Sequence, residues 1–349
     1  MLRFIHKMLN KSNSQIQLSI ATDNIKWSLS EDAKQITKIA NKIGIDCIAY
    51  SGLCKNTNVF FTDRYKMMNE IISTQNIMAK IYFPYYHGIP RRGEKIFDDF
   101  FDRLVRNHDK ITRIQVTNNI MKKLLLEDAK IQDEKLHHIF IGIDTNQFIS
   151  GSTRQKHEAR IKFKIPQSAV VIGSFQKDGN GWGEGIEPKF IKGPDVLVKT
   201  LILLKRDISE LFVFLVGPAR GYVKNALTKA CIPFRYVCFE NFYDVSQCYH
   251  ALDAYIVASR EEGGPKAILE SMATRTPIIS TKVGQASELI IHEHNGWLAD
   301  LEDSEALAYF AYQAISDTKQ TKIIVDNAYA TALENSYNSQ IPLWKKFFS

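Results

Sequence analysis

Residues 254–281 contain the side chains whose types and spacing best suggest chemistry. Glu262 is followed by two glycines and Pro265, and Glu270 comes eight positions after Glu262. Apolar runs on either side of this segment predict two strands, with a loop and a helix between them. Pro265 is expected at the first helical position, where its missing N–H is no loss. The segment is therefore predicted to be a parallel βαβ unit with one acid in the loop and one in the helix.

The start of such a helix is suited to anion binding, because its first backbone N–H groups have no partner within the helix. Gly263 and Gly264 would let a ligand approach the backbone without meeting a Cβ atom. The flanking carboxylates, Glu262 and Glu270, can each accept hydrogen bonds from two neighbouring hydroxyl groups. An anion site between two such acids predicts a nucleoside diphosphate-sugar as the ligand. The alternative is a surface helix with two solvated glutamates.

A second loop that could bind phosphate follows the apolar run that ends at Phe175. Four glycines alternate with other residues over positions 179–185, and Lys192-Gly193-Pro194 then begins a helical pattern. A lysine between a strand and a helix start is well placed to contact a diphosphate. The segment is not a P-loop, because Ser or Thr does not follow the lysine as that motif requires. The alternatives are a solvent-exposed Lys192 and a glycine run that is only a flexible insertion.

Both segments resemble the retaining GT-B glycosyltransferases, especially glycosyltransferase family four. The family pattern is Glu, seven residues and Glu, and here it runs from Glu262 to Glu270. The resemblance implies that Glu262 contacts the donor sugar, Glu270 the ribose and Lys192 the diphosphate. The backbone of residues 263–265 is expected to adjoin the donor. The resemblance also implies retention of anomeric configuration, and no metal or other cofactor is expected.

Some positions near the donor depart from the family or match it only in part. The family has an arginine at the strand end where this chain has Ser174, so one positive charge is missing. Lys177 is the candidate that could supply this charge. The stretch from Val283 to Glu288 resembles a turn of the family, and Gly284 within it is expected to face the donor.

The first half of the chain is expected to provide the other face of the cleft. His87 follows a strand pattern and loosely matches a family histidine near the donor sugar, although a packed or surface histidine is the alternative. Arg91 and Arg92 could bind an anionic acceptor or could simply be exposed. The family's Gly-Gly loop after the first strand is absent, and Asp23 and Trp27 are expected to line the cleft there.

Strand and helix patterns alternate along both halves, which predicts an α/β fold with parallel sheets covered on both faces. A chain of 349 residues suits two domains. We predict an acceptor-side Rossmann-like domain at 1–148, a polar linker at 149–168 and a doubly wound donor domain at 169–332. The resemblance implies that the two domains face a cleft in a GT-B arrangement, and that a last helix, 333–349, returns to the first domain.

Composition narrows the class of protein further. Of 45 Lys+Arg and 38 Asp+Glu, residues 1–150 hold 22 basic and 16 acidic ones. This surplus could hold an anionic acceptor or rest on acidic lipid, and the alternative is a solvated, modestly basic surface. No basic stripe with interleaved aromatics indicates nucleic-acid binding. No run of eighteen apolar residues predicts a membrane-spanning helix, and the start of the chain lacks a signal-peptide pattern. Five cysteines without a CxxC pair favour reduced thiols and a cytoplasmic location, and they argue against zinc.

The sequence therefore predicts glycosyl transfer from a nucleoside diphosphate-sugar to an acceptor hydroxyl of a glycan, polysaccharide or glycolipid precursor, at or near the inner face of a membrane. Two alternatives stay open. One is another enzyme on the same architecture, a nucleotide-sugar epimerase or a phosphorylase. The other is a two-lobed protein that binds a nucleotide sugar or a membrane without turnover. The Ser174 departure and the missing Gly-Gly loop keep the second alternative open, whereas the joint presence of both glutamates, the glycines and Lys192 disfavours it.

Overall fold

The computed structural model describes residues 17–22, 28–53, 57–240 and 242–349. These residues form two six-stranded sheets, and all strand pairings within the sheets are parallel. Parallel strands need a crossover between them, and helices provide it at most of the connections here. The predicted α/β architecture of two doubly wound domains is confirmed.

The first domain is built on a sheet of order β2-β1-β3-β4-β5-β6. Its strands are β1 (Gln17–Ala21), β2 (Asp46–Ile48), β3 (Asn58–Phe61), β4 (Lys80–Tyr85), β5 (Arg113–Val116) and β6 (Leu136–His138). Its helices are α1 (Ser28–Lys42), α2 (Arg64–Ser73), α3 (Lys95–Asn107) and α4 (Asn119–Glu127). The strand order reverses between β1 and β3, and ligands of such sheets bind outside the carboxyl ends of the strands at this point.

The second domain is built on a sheet of order β12-β11-β10-β7-β8-β9. Its strands are β7 (Val170–Ser174), β8 (Leu211–Val216), β9 (Phe234–Val237), β10 (Ala254–Val257), β11 (Ile278–Thr281) and β12 (Trp297–Ala299). The helices from here to the end of the chain are α5 (Thr153–Phe163), α6 (Pro194–Asp207), α7 (Gly221–Lys229), α8 (Ser246–Tyr249), α9 (Ala267–Thr274), α10 (Ala286–Leu289), α11 (Ser304–Ser316), α12 (Thr318–Glu334) and α13 (Ile341–Phe348). Here the order reverses between β7 and β10.

An apolar core lies on each face of the second sheet. Along β10 the side chains alternate: Tyr255 and Val257 join one core, while Ala254 and Ile256 join the other. The alternation follows from the strand geometry, in which successive side chains point to opposite faces. A strand with both faces buried must be apolar throughout, which explains why β10 reads as an unbroken apolar run.

The last helix, α13, packs on the first domain as predicted. The chain crosses back beside Ile143, which forms a bridge with Ser336. Trp344, Phe347 and Phe348 are buried in a core of the first domain, and all three rings meet Phe60 edge to face. This packing ties the two domains together through the end of the chain.

The segment 149–168, predicted as a linker, contains the helix α5. Ser152 begins this helix with a capping box, exchanging hydrogen bonds with Gln155. Phe163 at the end of the helix packs against Phe214 of β8, with ring centroids 5.1 Å apart. The segment therefore belongs largely to the core of the second domain.

Helix α2 and strand β12 also escaped the sequence analysis. Helix α2 begins after Asp63, whose carboxylate accepts hydrogen bonds from the N–H groups of Tyr65 and Lys66, and Met67 and Ile71 are buried on its inner face. Strand β12 has only three residues and pairs with β11 at the sheet edge. Among the described helices, none is long and apolar enough to cross a membrane.

Candidate functional site

A cavity of about 260 Å³ lies between the two domains, where strands of both sheets end. On the second domain it is bordered by the loops that follow β7 and β10, the adjacent strands at which the order reverses. We call residues 175–193 the lysine loop and residues 259–267 the glutamate loop. The lining comprises Asp32, Tyr86, His87, Ile141, Phe175, Gln176, Lys177, Lys192, Tyr255, Val257, residues 262–267 and Glu270.

The lysine loop is an ordered hairpin and not a loose insertion. The N–H of Lys189 donates to the carbonyl of Asp178 at 2.8 Å, and the N–H of Asn180 donates to the carbonyl of Glu187 at 2.9 Å. The tip rests on the start of α7, because the N–H groups of Gly221 and Tyr222 donate to the tip carbonyls at 2.7 and 2.8 Å. These bonds satisfy groups at a helix start that would otherwise lack partners.

A buried ion pair fixes the base of this hairpin. Asp178 and Arg220 are fully buried, with 3.0 Å between their charged groups. The guanidinium of Arg220 also donates to the hydroxyl of Ser174 at 3.1 Å and to the Ser174 carbonyl at 2.5 Å. Ser174, predicted to lie at the donor, is instead buried behind the cavity, where its hydroxyl accepts from an arginine. Arg220 therefore occupies the interior beneath the strand end.

The hairpin brings three lysines together. Lys177 precedes Asp178, and Lys189 and Lys192 follow on the returning strand of the hairpin. Burial lowers the pKa of Lys177 and of Lys189, and the charge of Lys192 lowers both further. Lys177 also lies over the ring of Trp182 at 4.4 Å. Mutual repulsion among three partly buried ammonium groups favours an anion at this point. Sequence reasoning found Lys177 and Lys192 but missed Lys189.

Glu262 of the glutamate loop contacts the lysine loop directly. Its carboxylate pairs with Lys192 at 2.6 Å and accepts a hydrogen bond from Ser259 at 3.1 Å. Both partners of the ion pair are largely buried. The side chain predicted to bind sugar and the side chain predicted to bind diphosphate therefore neutralise each other in this structure.

The two glycines of the glutamate loop, Gly263 and Gly264, allow residues of the first domain to pack closely against its backbone. A Cβ on Gly263 would collide with the carbonyl of Tyr86, and one on Gly264 would lie 2.7 Å from Ile141. The Gly263 carbonyl accepts hydrogen bonds from the side chains of Thr117 and Asn118, both at 2.9 Å. The close approach that the sequence suggested for a ligand is therefore made by the other domain at Gly263.

The backbone of this loop still offers hydrogen-bond donors to the cavity. Helix α9 begins at Ala267, two residues after the expected start at Pro265. Among the described residues, none accepts a hydrogen bond from the N–H groups of Gly263, Gly264 or Ala267. Such groups at the edge of a helix start favour an anion or a hydroxyl ligand.

Glu270 lies deeper in the cavity wall and is only 4% exposed. The hydroxyl of Tyr249 donates to its carboxylate at 2.7 Å. Burial raises the pKa of Glu270 to about 7, although the Tyr249 hydrogen bond and the charge of Lys266 act in the opposite direction. Glu270 therefore changes charge within the physiological pH range.

The first domain contributes an acid that the sequence analysis did not single out. Asp32 of α1 lines the cavity and pairs with Lys266 at 2.6 Å. Burial raises the pKa of Asp32, while Lys266 opposes the shift. An acid in the first turns of an amphipathic helix reads as a solvated residue, so no local pattern pointed to this contact.

His87 lies on the first-domain side of the same cavity, as predicted. Its ring packs edge to face against Phe97, with centroids 5.5 Å apart. Burial, followed by the charges of Arg64 and Lys192, holds the pKa of His87 well below its usual range. The imidazole is therefore neutral at physiological pH and can exchange hydrogen bonds with hydroxyl groups.

The remaining predicted site residues lie elsewhere. Arg91 and Arg92 are exposed and do not line the cavity. Gly284 also lies outside the lining, and a Cβ there would sit 2.5 Å from the carbonyl oxygens of Glu262 and Gly263, so it supports the glutamate loop from behind. Asp23 and Trp27 fall outside the described residues.

Comparison with protein families gives a match over the part of the chain that forms most of this site. The sequence profile of the family described as "Glycosyl transferases group 1" matches residues 187–331, which include Lys192 and the whole glutamate loop. Residues 187–331 are therefore similar to the group 1 glycosyltransferases. The pattern from Glu262 to Glu270 lies within this matched stretch.

Curated relatives extend the similarity toward the first domain. The lipopolysaccharide core biosynthesis mannosyltransferase LpsB of Rhizobium meliloti is 25% identical over 206 residues, covering 56% of this chain and 55% of that protein. A D-inositol 3-phosphate glycosyltransferase of Corynebacterium urealyticum is 25% identical over 250 residues, covering 66% and 57%. The chain thus spans about half the length of the curated relatives it matches.

Solved structures share the fold over nearly the whole chain. HepE of Anabaena, solved in complex with UDP and glucose, superposes with a TM-score of 0.73 at 17% identity, covering 94% of this chain and 98% of that one. A glycosyltransferase of Rickettsia africae superposes with a TM-score of 0.71 at 19% identity, covering 96% and 98%. The stretch that matches the group 1 family therefore lies in a two-domain chain that shares the GT-B fold of these structures.

Proposed function

We propose that the protein transfers a sugar from a nucleoside diphosphate-sugar to an acceptor hydroxyl. The observation that carries this proposal is the interdomain cavity itself. Lys177, Lys192 and the unpaired N–H groups of the glutamate loop meet there, beside two glutamates and a neutral histidine, and Lys189 lies close to these two lysines. A diphosphate needs the first set of groups, and sugar and ribose hydroxyls need the second.

The proposed roles follow the position of each group. Lys192, Lys177 and Lys189 compensate the charge of the diphosphate, most of all as it leaves. Glu262 and His87 orient the hydroxyls of the donor sugar, and Glu270 accepts hydrogen bonds from the ribose. Because the two domains enclose the cavity, they also keep out water that would hydrolyse the donor.

Donor binding must break the ion pair between Glu262 and Lys192. The phosphate replaces Glu262 as the partner of Lys192, and the carboxylate of Glu262 then accepts hydrogen bonds from the sugar hydroxyls. Each group of the pair is held near its proposed ligand before the ligand arrives, which lowers the cost of ordering. A ligand with phosphate but without sugar would leave Glu262 without a replacement partner.

We further propose that transfer proceeds with retention and without a metal, as the family resemblance implies. The lysines and backbone N–H groups supply the compensating charge, and the departing phosphate helps to deprotonate the acceptor. The product anomer, followed by NMR, tests retention. Activity that survives a chelator tests metal independence.

The acceptor is proposed to be a glycan or a lipid-linked saccharide. The mannosyltransferase relative is named for lipopolysaccharide core biosynthesis, and the name of the second relative includes D-inositol 3-phosphate. The basic surplus of residues 1–150 supports an anionic acceptor, or contact with acidic lipid at a membrane.

A second candidate function is binding of a nucleotide sugar without turnover. The pairing of Glu262 with Lys192 and the burial of Ser174 away from the cavity favour it. One experiment separates the two: the protein is screened against nucleoside diphosphate-sugars by thermal shift, and the stabilising ones are assayed with acceptors for released nucleoside diphosphate. Stabilisation with transfer supports the enzyme. Stabilisation without transfer supports the binding protein, and no stabilisation by any donor contradicts both.

A further inference from the structure

We propose that Glu261 is a positioning residue that holds the loop carrying His87 against the donor side of the cavity. The inference rests on the proposed function of the same site. Glu261 immediately precedes the glutamate of the family pattern, yet it faces away from the cavity lining and towards the first domain. The two neighbouring acids therefore have different roles: Glu262 lines the cavity, and Glu261 contacts the first domain.

The carboxylate of Glu261 binds two consecutive backbone groups of the first domain. One oxygen accepts hydrogen bonds from the N–H of Gly88 at 2.8 Å and of Ile89 at 3.0 Å. Glu261 is only 8% exposed. Hydrogen bonds to an ionised acceptor in such surroundings are stronger than those between neutral groups. The two N–H groups belong to the residues that directly follow His87.

The first domain holds the same loop from its other side. The guanidinium of Arg64 donates to the carbonyl of His87, and the hydroxyl of Tyr85 donates to the carbonyl of Gly88 at 2.7 Å. Gly88 has a φ of +106°, a conformation that other residues rarely adopt. Four backbone groups over three consecutive residues are therefore fixed by side chains from both domains.

Glu261 itself has a fixed origin on the donor domain. Its backbone N–H donates to the carbonyl of Ile191 in the lysine loop at 3.0 Å. Glu261 thereby connects the His87 loop to the end of the lysine loop that holds Lys192. While the domains are in contact, Glu261 fixes the position of the imidazole relative to the lysines. When the domains separate, this connection is broken.

Other interdomain contacts hold the domains together without touching this loop. Glu288 accepts hydrogen bonds from the backbone and side-chain nitrogens of Asn119 at 2.6 and 2.8 Å. The side chain of Gln285 accepts from the N–H of Ile141 at 3.0 Å. Loss of Glu261 would therefore release the His87 loop from the second domain, while these other contacts still hold the domains together. Glu288 is a matched control, because it is also an acid that accepts hydrogen bonds across the interface but does not contact the His87 loop.

The test is a double-mutant cycle of Glu261→Ala with His87→Ala, together with Glu261→Gln and the control Glu288→Ala. Glu261→Ala is expected to lower kcat about tenfold or more, since a misplaced group loses much of its effect, with UDP affinity changed less than about twofold. Glu261→Gln keeps an acceptor oxygen and should recover part of kcat. In the His87→Ala background, Glu261→Ala should change kcat less than about twofold.

Three results would overturn the inference. They are an unchanged kcat in Glu261→Ala, an equal loss of kcat with and without His87, and an equal loss in Glu288→Ala. A readout that needs no turnover accompanies the assay: hydrogen exchange at Gly88 and Ile89 and the NMR shift of the His87 ring. If the wild type transfers no sugar, the proposed function fails, and faster exchange with a moved ring signal in Glu261→Ala still supports the positioning role. Unchanged exchange and an unmoved ring signal contradict it in either case.

Discussion

The lysine loop and the glutamate loop leave neighbouring strands of the same sheet, yet they are held in different ways. The lysine loop is fixed within the second domain, through the Asp178–Arg220 ion pair and the hydrogen bonds to the start of α7. The glutamate loop is held by both domains, because second-domain groups bind the backbone of Arg260 and Glu261 while Thr117 and Asn118 of the first domain bind the Gly263 carbonyl. One loop is thus a property of a single domain, and the other depends on two.

This difference separates two tasks of the proposed reaction. Binding of the diphosphate should depend on the second domain and survive changes at the interface. Orientation of the sugar should depend on the contact between the domains, because the loop of His87 and the backbone at Gly263, next to Glu262, both contact the opposite domain. Variants that affect one task and spare the other test the comparison.

The largest effect is expected from Glu262→Ala. Transfer should fall about 100-fold or more, since the sugar loses a group that orients it. Affinity for the free nucleoside diphosphate should hold or increase, because Lys192 no longer has a competing carboxylate. Kinetics and calorimetry measure the two quantities. Equal losses in both would contradict the division of tasks, and Glu262→Gln, which also frees the lysine, should share the gain in affinity.

Gly263→Ala should have the next largest effect. The added methyl group collides with the Tyr86 carbonyl and must move the two domains apart. Transfer is expected to fall about 10- to 100-fold, with nucleoside diphosphate affinity changed less than about threefold. The control is Gly183→Ala in the lysine loop, where an added methyl group meets no atom within 4 Å. A loss of nucleotide affinity as large as the loss of transfer would count against independent loops.

Lys192→Ala should weaken nucleoside diphosphate binding about tenfold, or about 1.4 kcal/mol. Two lysines remain nearby, which limits the loss. Lys199→Ala, on the exposed face of α6, is the control and should leave affinity unchanged. Isothermal calorimetry measures both variants. Unchanged affinity in Lys192→Ala would remove the lysine from the diphosphate site.

The smallest expected effect is a dependence on pH through Glu270. Its pKa of about 7 means that the carboxylate, which can accept from two ribose hydroxyls, forms as pH rises from 6 to 8. Nucleoside diphosphate affinity should increase a few-fold over this range relative to the affinity of Glu270→Gln. The comparison with this variant removes the effect of the ligand's own titration, which is the same for both proteins. Identical pH profiles of the two proteins would contradict the role of Glu270.

The raised pKa of Glu270 has the opposite effect on the stability of the free protein: nucleotide affinity should rise with pH, whereas stability should fall. A carboxyl whose pKa is raised in the folded state contributes its stability below its unfolded pKa and loses it as pH rises through about 7. The melting temperature of the free wild type should therefore decline from pH 5 to 8 more steeply than that of Glu270→Gln.

Local patterns were sufficient for much of the second domain. The unbroken apolar runs of β8 and β10 mark strands buried on both faces, and Gly-Pro pairs mark helix starts to within two residues. Spacing and resemblance identified Glu262, Glu270 and Lys192. Each lies in a short segment, a loop followed by a helix start, whose local structure follows from neighbouring residues. The aromatic residues of α13 were likewise visible as an apolar face without a local partner.

Local patterns failed where a residue's role depends on a partner far along the chain. Arg91 and Arg92 looked suited to an acceptor, but their loop turns them to solvent. Gly284 looked suited to a ligand and instead meets the backbone of Glu262. The sequence analysis did not single out Asp32 or Glu261, and each is buried against the opposite domain.

By itself, the sequence determined the two-domain α/β fold and the acids and lysine of the donor motif, because apolar periodicity and turn chemistry act over a few neighbouring residues. Only the tertiary structure decided that Glu262 pairs with Lys192, that Gly263 makes room for Tyr86 and that Glu261 holds the His87 loop. These contacts join residues 70 or more positions apart in the chain. The first contact joins two loops of the second sheet, and the geometry of the other two is set by how the two domains meet.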